Sequence, residues 1–145
     1  MTAEQEEKIT QFLSAAPRYR IVIDNSNLTD SASVDVGTEL SYYLTNNFVK
    51  AEQLKMVVPD VLQQMFRAHM EKHPHWGNML CLTNIGILFE PALGIDIRNL
   101  IQRLSQNALV IIKWNGETDD NHLYFMTKND GYSIDLSHTN HIFLS

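Results

Sequence analysis

The stretch from Asn78 to Gly116, NMLCLTNIGILFEPALGIDIRNLIQRLSQNALVIIKWNG, constrains the fold of this chain more than any other. Its two apolar runs, Met79 to Leu82 and Ala108 to Ile112, have the length of strands. Between them Ile97, Leu100, Ile101 and Leu104 recur at i, i+3, i+4 and i+7, the stripe of an amphipathic helix. Strand, helix and strand in this order form the unit of a parallel sheet with helical crossovers. The second run is apolar at every position, as a strand covered on both faces must be. The pair Asn115-Gly116 closes it with a turn.

The flanking sequence extends this α/β reading. Thr2 and Gln5 have capping-box spacing, and Ile9, Phe12, Leu13 and Ala16 continue at helical intervals up to Pro17. Arg20 to Asp24 reads as a short strand that delivers the turn formers Asn25, Ser26 and Asn27. Val34-Asp35-Val36 reads as a second strand, and Thr38 is the expected cap of a helix carrying Leu40, Tyr43, Leu44 and Phe48. The interval between these strands leaves no room for a helix of ordinary length. Ala51 to His73 is helical in pattern, with two helices expected to meet at Pro59, and His73 to Gly77 breaks that pattern. Phe89-Glu90-Pro91 marks a turn, and the tail holds expected strands at His122 to Met126, Tyr132 to Leu136 and His141 to Leu144.

A chain of 145 residues, 44% hydrophobic and 19% charged, has the size and composition of one folded domain. Its formal net charge of −6 works against binding to phosphate backbones, and no Lys or Arg run offsets it. Direct nucleic acid binding is therefore not expected, and a basic partner protein suits the chain better. The lone Cys81 lies among apolar residues, as a buried reduced cysteine would. The opening MTAEQEEKI has no signal-peptide core, and no run approaches the roughly 18 apolar residues of a membrane span. A cytoplasmic location and no membrane contact are the expectation.

No residue cluster carries a catalytic signature. The loop Asn25 to Ser33, NSNLTDSAS, has no Gly, Lys or Arg, whereas a phosphate-cradling loop needs glycines for close backbone approach and a lysine for the outer phosphates. His69, His73 and His75 have a spacing that would suit a metal, but no acidic orienting residue accompanies them, and the bland reading is a helix edge and its terminating turn. His138 and His141 read as tail residues. The carboxylate pairs Asp24 with Asp35 and Glu90 with Asp96 fall at strand ends and turns that favour Asp for local hydrogen bonding. Glu117, Asp119 and Asp120 match no calcium loop. Trp76 and Trp114 are expected to be partly buried at the ends of the sheet. No catalytic residue, cofactor or metal follows.

The order of a short strand, VDVGTELSYYL, a strand ending in LTNIGILFEPALGIDIRNLIQRLSQN, ALVIIKWNG and a DDNHLYF tail resembles BrxF, the small P-loop protein of bacteriophage-exclusion (BREX) defence systems. The likeness runs from about Arg20 to Phe125. It implies a three-layer P-loop NTPase-like, AAA-like parallel sheet with helical crossovers, the C-terminal strands extending that sheet. The departures fall on the chemistry: the Gly-rich loop and most of its helix are missing, Thr83 stands where the family has its Walker B acid, and Gly86 where it has a second acidic residue. Asn115 remains at a sensor-like position. The resemblance thus implies a pseudo-ATPase that acts as a protein-interaction or regulatory subunit of a defence complex. Its expected contact surface lies at the carboxyl ends of the strands, on Asp24, Asn25, Asn27, Thr83, Asn84, Trp114 and Asn115. Homo-oligomerisation through that face is the alternative. Rival readings are an NTPase completed in trans, a metal-dependent hydrolase using the His69 to His75 segment, and a phage or mobile-element mimic that blocks a defence complex.

Overall fold

The computed structural model describes residues 2–26, 33–125 and 131–144. In chain order these form α1 (Ala3–Ser14), β1 (Ile21–Asp24), β2 (Val34–Asp35), α2 (Val36–Asn46), α3 (Leu54–His69), β3 (Glu71–His73), β4 (Gly77–Thr83), α4 (Ile97–Asn107), β5 (Leu109–Lys113), β6 (Thr118–Asp119), β7 (His122–Tyr124), β8 (Ser133–Asp135) and β9 (His141–Leu144). One sheet has the order β2-β4-β5-β1-β9, all parallel, with β3 antiparallel to the start of β4. This is a mixed α/β fold with a central parallel sheet flanked by helices, consistent with a generic Rossmann- or P-loop-like topology. No described helix is long and apolar enough to cross a membrane.

Strand connections of fixed hand explain where the helices lie. From β2 to β4, β5 and β9 the chain advances in one direction across the sheet, so right-handed crossovers put all the intervening material on one face. On that face Ile21, Ile23, Leu80, Leu82, Val110 and Ile112 pack with Leu40 of α2, Val58, Leu62 and Phe66 of α3, and Ile97 and Ile101 of α4. Only the step from β1 to β2 runs backward, and its crossover belongs on the opposite face. Residues 25, 26 and 33 of that step are not helical. The opposite face, formed by Val22, Met79, Cys81, Leu109, Ile111 and Leu144, is covered instead by Ile9, Phe12 and Leu13 of α1. α1, which precedes β1, thus lies on the face to which a right-handed crossover assigns the step from β1 to β2.

The central strands are held by burial on both faces. Ile21, Val22, Ile23, Leu109, Val110, Ile111 and Ile112 are all fully buried, each such side chain stabilising the fold by roughly 1.5–3 kcal/mol relative to exposure. The expected unit of strand, amphipathic helix and adjacent parallel strand is present, with Met79 opposite Leu109 and Leu82 opposite Ile112.

Several expectations need correction. Val36 belongs to α2 and not to the second strand, because the Asp35 carboxylate, rather than Thr38, caps the helix by accepting from Thr38 N–H. A single helix, α3, runs through Pro59. The proline falls early in α3, so it removes one backbone bond while Val58, Val61, Leu62, Met65 and Phe66 hold the helix to the sheet. That helix ends at His69, and Glu71–His73 returns as a hairpin strand on β4. Of the C-terminal strands only β9 extends the main sheet; β6, β7 and β8 make a separate antiparallel sheet. Phe48 lies beyond α2, is 87% exposed and has φ +52°.

Candidate functional site

Five strands, β1, β2, β4, β5 and β9, end at one edge of the sheet, where open α/β folds place their sites. Asp24 closes β1 in full burial, and its Oδ1 accepts from the backbone N–H of Ser26 at 2.9 Å and from its hydroxyl. Lys113 is its register partner on β5. Trp114 follows, its backbone N–H donating to the Asp24 carbonyl at 3.0 Å and its indole N–H to the Glu117 carbonyl at 3.4 Å. Both Asp24 and Trp114 are thus walls of the core. Asn25 is exposed and donates its backbone N–H to the Leu144 carbonyl, tying the end of β1 to β9.

A second joint forms one side over, where β2 meets β4. Half-buried Thr83 is the register partner of Asp35. Asn84 follows with φ +54°, a left-handed conformation that asparagine tolerates. Its side-chain amide donates to Asp35 Oδ1 at 2.8 Å and its backbone carbonyl accepts from Gly37 N–H at 3.1 Å. A Cβ on Gly37 would lie 2.5 Å from Asn84 Nδ2, so the missing side chain lets α2 start this close. The Thr38 N–H, and then the Asn84 amide, hold the Asp35 carboxyl below its ordinary value. Asn115 is exposed, beyond β5. Asn27 lies outside the described residues. The expected surface therefore reduces to Asn25, Asn84 and Asn115, with Thr83 partly accessible.

The hollow at the β2–β4 joint disfavours phosphate. Gly37, Thr38, Ser41, Asn84 and Ile87 line a hollow of about 420 Å³ with no basic side chain. The start of α2, which borders the hollow, is capped by Asp35 and carries Glu39 in its first turn. At the start of α1, Thr2 Oγ1 accepts from Gln5 N–H at 3.2 Å and Gln5 Oε1 from Thr2 N–H at 3.0 Å. The Gln5 amide then donates to Ser26 Oγ at 3.1 Å, bringing this helix start to the loop after β1. Glu4 and Glu6 occupy its first turn. A helix start attracts anions through free N–H groups and its positive dipole end; here a side chain takes one N–H group at each start, and carboxylates occupy the field.

The small sheet closes over the same edge. A Cβ on Gly86 would meet the Phe125 ring at 2.3 Å. That ring stacks on Phe89 with centroids 5.2 Å apart, and Phe89 stacks on Tyr132 at 5.5 Å. A Cβ on Gly116 would lie 2.6 Å from the Tyr124 carbonyl. Gly86 and Gly116 thus admit the backbone and rings of the C-terminal segment into the space beside β4 and β5. Sequence reasoning missed this contact; the glycines themselves were the one visible sign.

The histidines and acids have structural employment. His69 pairs with Glu39 at 2.8 Å. His73 Nδ1 accepts from the backbone N–H groups of His75 and Trp76, and its ring stacks on Trp76 at 3.9 Å. Asp119 takes the Tyr124 hydroxyl, the Asn121 N–H and His122 Nδ1, and this set, led by Tyr124, pulls its carboxyl far below the usual range. His122 Nε2 faces Asp135 at 3.7 Å on the next strand. Among the described residues no group of three or more His, Cys, Asp or Glu is arranged to hold a metal. Cys81 is buried, which pushes its thiol up to about 11.

Compared with protein-family models, curated proteins and solved structures, the chain matches none of the three.

Proposed function

We propose that this chain is a non-catalytic interaction domain on a P-loop-like frame, a pseudo-ATPase serving as a regulatory subunit of a BREX-type antiphage complex. The observation that carries the reading is the Phe125 ring against Gly86, which fills the space a side chain there would need. It is supported by the self-capped, acidic start of α1 beside Ser26 and by the absence of basic side chains from the hollow at Asn84. Nucleotide chemistry needs a cation for the phosphates and hard oxygen ligands for magnesium, and in support of the reading, among the described residues of this edge Gly86 lies against the Phe125 ring and Asp35 caps α2. The defence assignment comes from the resemblance in segment order alone. Calorimetric titration with ATP and magnesium is expected to give no saturable heat; a micromolar isotherm refutes the non-catalytic reading. Co-expression with the methyltransferase, phosphatase-like protein and large ATPase of such an operon is expected to yield a stable complex, and separate elution of all partners refutes the subunit assignment.

A further inference from the structure

Helices α3 and α4 run side by side in the same direction over the sheet. At their starts, a Cβ on Gly94, just ahead of α4, would lie 3.1 Å from Lys55 Cγ of α3. At their ends the register agrees: Glu71, two residues past α3, and Leu109, two past α4, both pair with Met79 of β4. Between the helices lies a groove of about 590 Å³ with Leu62 and Phe66 buried at its floor and Met70, Leu100 and Leu104 half-buried along it. Its four charged side chains repeat one pattern on both walls, Asp60 and Arg67 on α3, Asp96 and Arg103 on α4 and its cap, the members of each pair seven residues apart. Seven residues is close to two turns, so each acid and its arginine share a helix face about 10 Å apart. The groove thus has an acidic end and a basic end. Neither guanidinium has an ion-pair or hydrogen-bond partner among the described residues, although Asp and Glu outnumber Lys and Arg in this chain by 17 to 11.

We propose that this groove receives α4 of a second copy, each copy seating its α4 between α3 and α4 of the other about a two-fold axis. The groove itself states what its occupant must be. Its walls are helices with no open backbone edge, so an extended segment would leave its own N–H and C=O groups without partners, whereas a helix pairs its own. That helix must carry an acid at the end that meets Arg67 and Arg103, a base two turns away that meets Asp60 and Asp96, and exposed apolar side chains for the floor. Laid antiparallel to both walls, α4 supplies all of this: Asp96 at its start, Arg103 seven residues on, and Leu100 and Leu104 only half-buried. The same orientation opposes its dipole to theirs. No acid of α1 or α2 has a base seven residues on, and the apolar residues of α3 between Asp60 and Arg67 are already buried. A parallel seating would set acid on acid, so charge selects the two-fold arrangement, which is self-complementary. The face is also neutral, two acids against two arginines, and so escapes the mutual repulsion of chains of net charge −6. None of this rests on the nucleotide reading.

The test is sedimentation equilibrium of the full chain across a concentration series, with two charge variants. Arg67→Glu with Arg103→Glu makes the groove wholly acidic; Asp60→Lys with Asp96→Asn makes it wholly basic, and asparagine keeps the cap of α4. All four positions are exposed, so each variant subunit keeps its thermal midpoint. Expected are a dimer of the 16.6 kDa chain, a dissociation constant raised at least about 30-fold in each variant alone, and a dimer restored in an equimolar mixture of the two. A monomer at all concentrations overturns the proposal. So does a dimer that both variants leave intact, or one lost in both and not recovered on mixing.

Discussion

Adding a single methyl group at Gly86 tests whether the Phe125 ring fills the edge of the sheet. The backbone at Gly86 is open to any residue, so Gly86→Ala introduces no backbone strain. The new Cβ would stand 2.3 Å from the ring, more than an ångström inside van der Waals contact. Either the ring leaves its stack on Phe89 or the turn at Ile85–Phe89 shifts. Overpacking of this kind costs about 1–3 kcal/mol, and the lost ring pair accounts for about 0.5–1.5 of it. In a chain of this size that lowers the thermal midpoint by roughly 3–10 °C. In a Phe125→Ala background the clash is gone, and Gly86→Ala should cost under about 0.5 kcal/mol or stabilise slightly by restricting the unfolded chain. Urea melts of the four proteins give the coupling, expected at about 1–3 kcal/mol between neighbours of this kind. Equal costs of Gly86→Ala in both backgrounds would refute the packing argument and the functional reading built on it.

The acid limb offers another measurement. Asp35, Asp119 and Asp135 each have a folded carboxyl held below the ordinary value of 3.8, the first chiefly by the Thr38 N–H, the second by the Tyr124 hydroxyl and the third by Ser137. Lowered folded values mean stability that is fully present above the unfolded value and lost as pH falls below about 4 toward the folded ones. Thermal midpoints should therefore drop below pH 4, and Asp119→Asn should flatten that drop; an unchanged acid limb in the variant would count against the Tyr124 and His122 network. For Cys81, burial and a thiol raised to about 11 predict that iodoacetamide modifies it in the folded chain only through opening, at least about a hundredfold slower than in urea. Rapid native alkylation would contradict α1 covering that face.

Much of the main sheet was legible because its signals are local. The run Leu109–Lys113 declares itself by lacking polar positions, α4 by its stripe, and α1 by its reciprocal Thr2 and Gln5 cap. The hairpin of β3 was not, since Glu71 and Lys72 are exposed edge residues with no apolar alternation to report them. Pro59 misled because its local rule was outweighed by five buried neighbours on the same helix. The separate sheet of β6 to β8 and the placement of α1 on the opposite face are tertiary facts, set by which strand lies beside which. The site was legible only in part for the same reason. Asp24 and Trp114 read as strand-end polar and aromatic residues, yet one is a fully buried carboxylate and the other a core ring. No local pattern announces that Phe125 lies against Gly86.

The covering of the second face by α1 also bears on the order in which the molecule assembles. Ile9 packs in one cluster with Val22, Leu109 and Leu144, so α1 finds its full seat only once β1, β5 and β9 have come together. Until then the layer of Val22, Cys81 and Ile111 is bare, a sticky surface on an otherwise formed sheet. Closure of this face joins α1 to β9, segments far apart in sequence, and the Lys8 ammonium meets the Phe143 carbonyl there. Such a long-range closure slows completion of the fold, and leaves the chain prone to misassociation while that layer is bare.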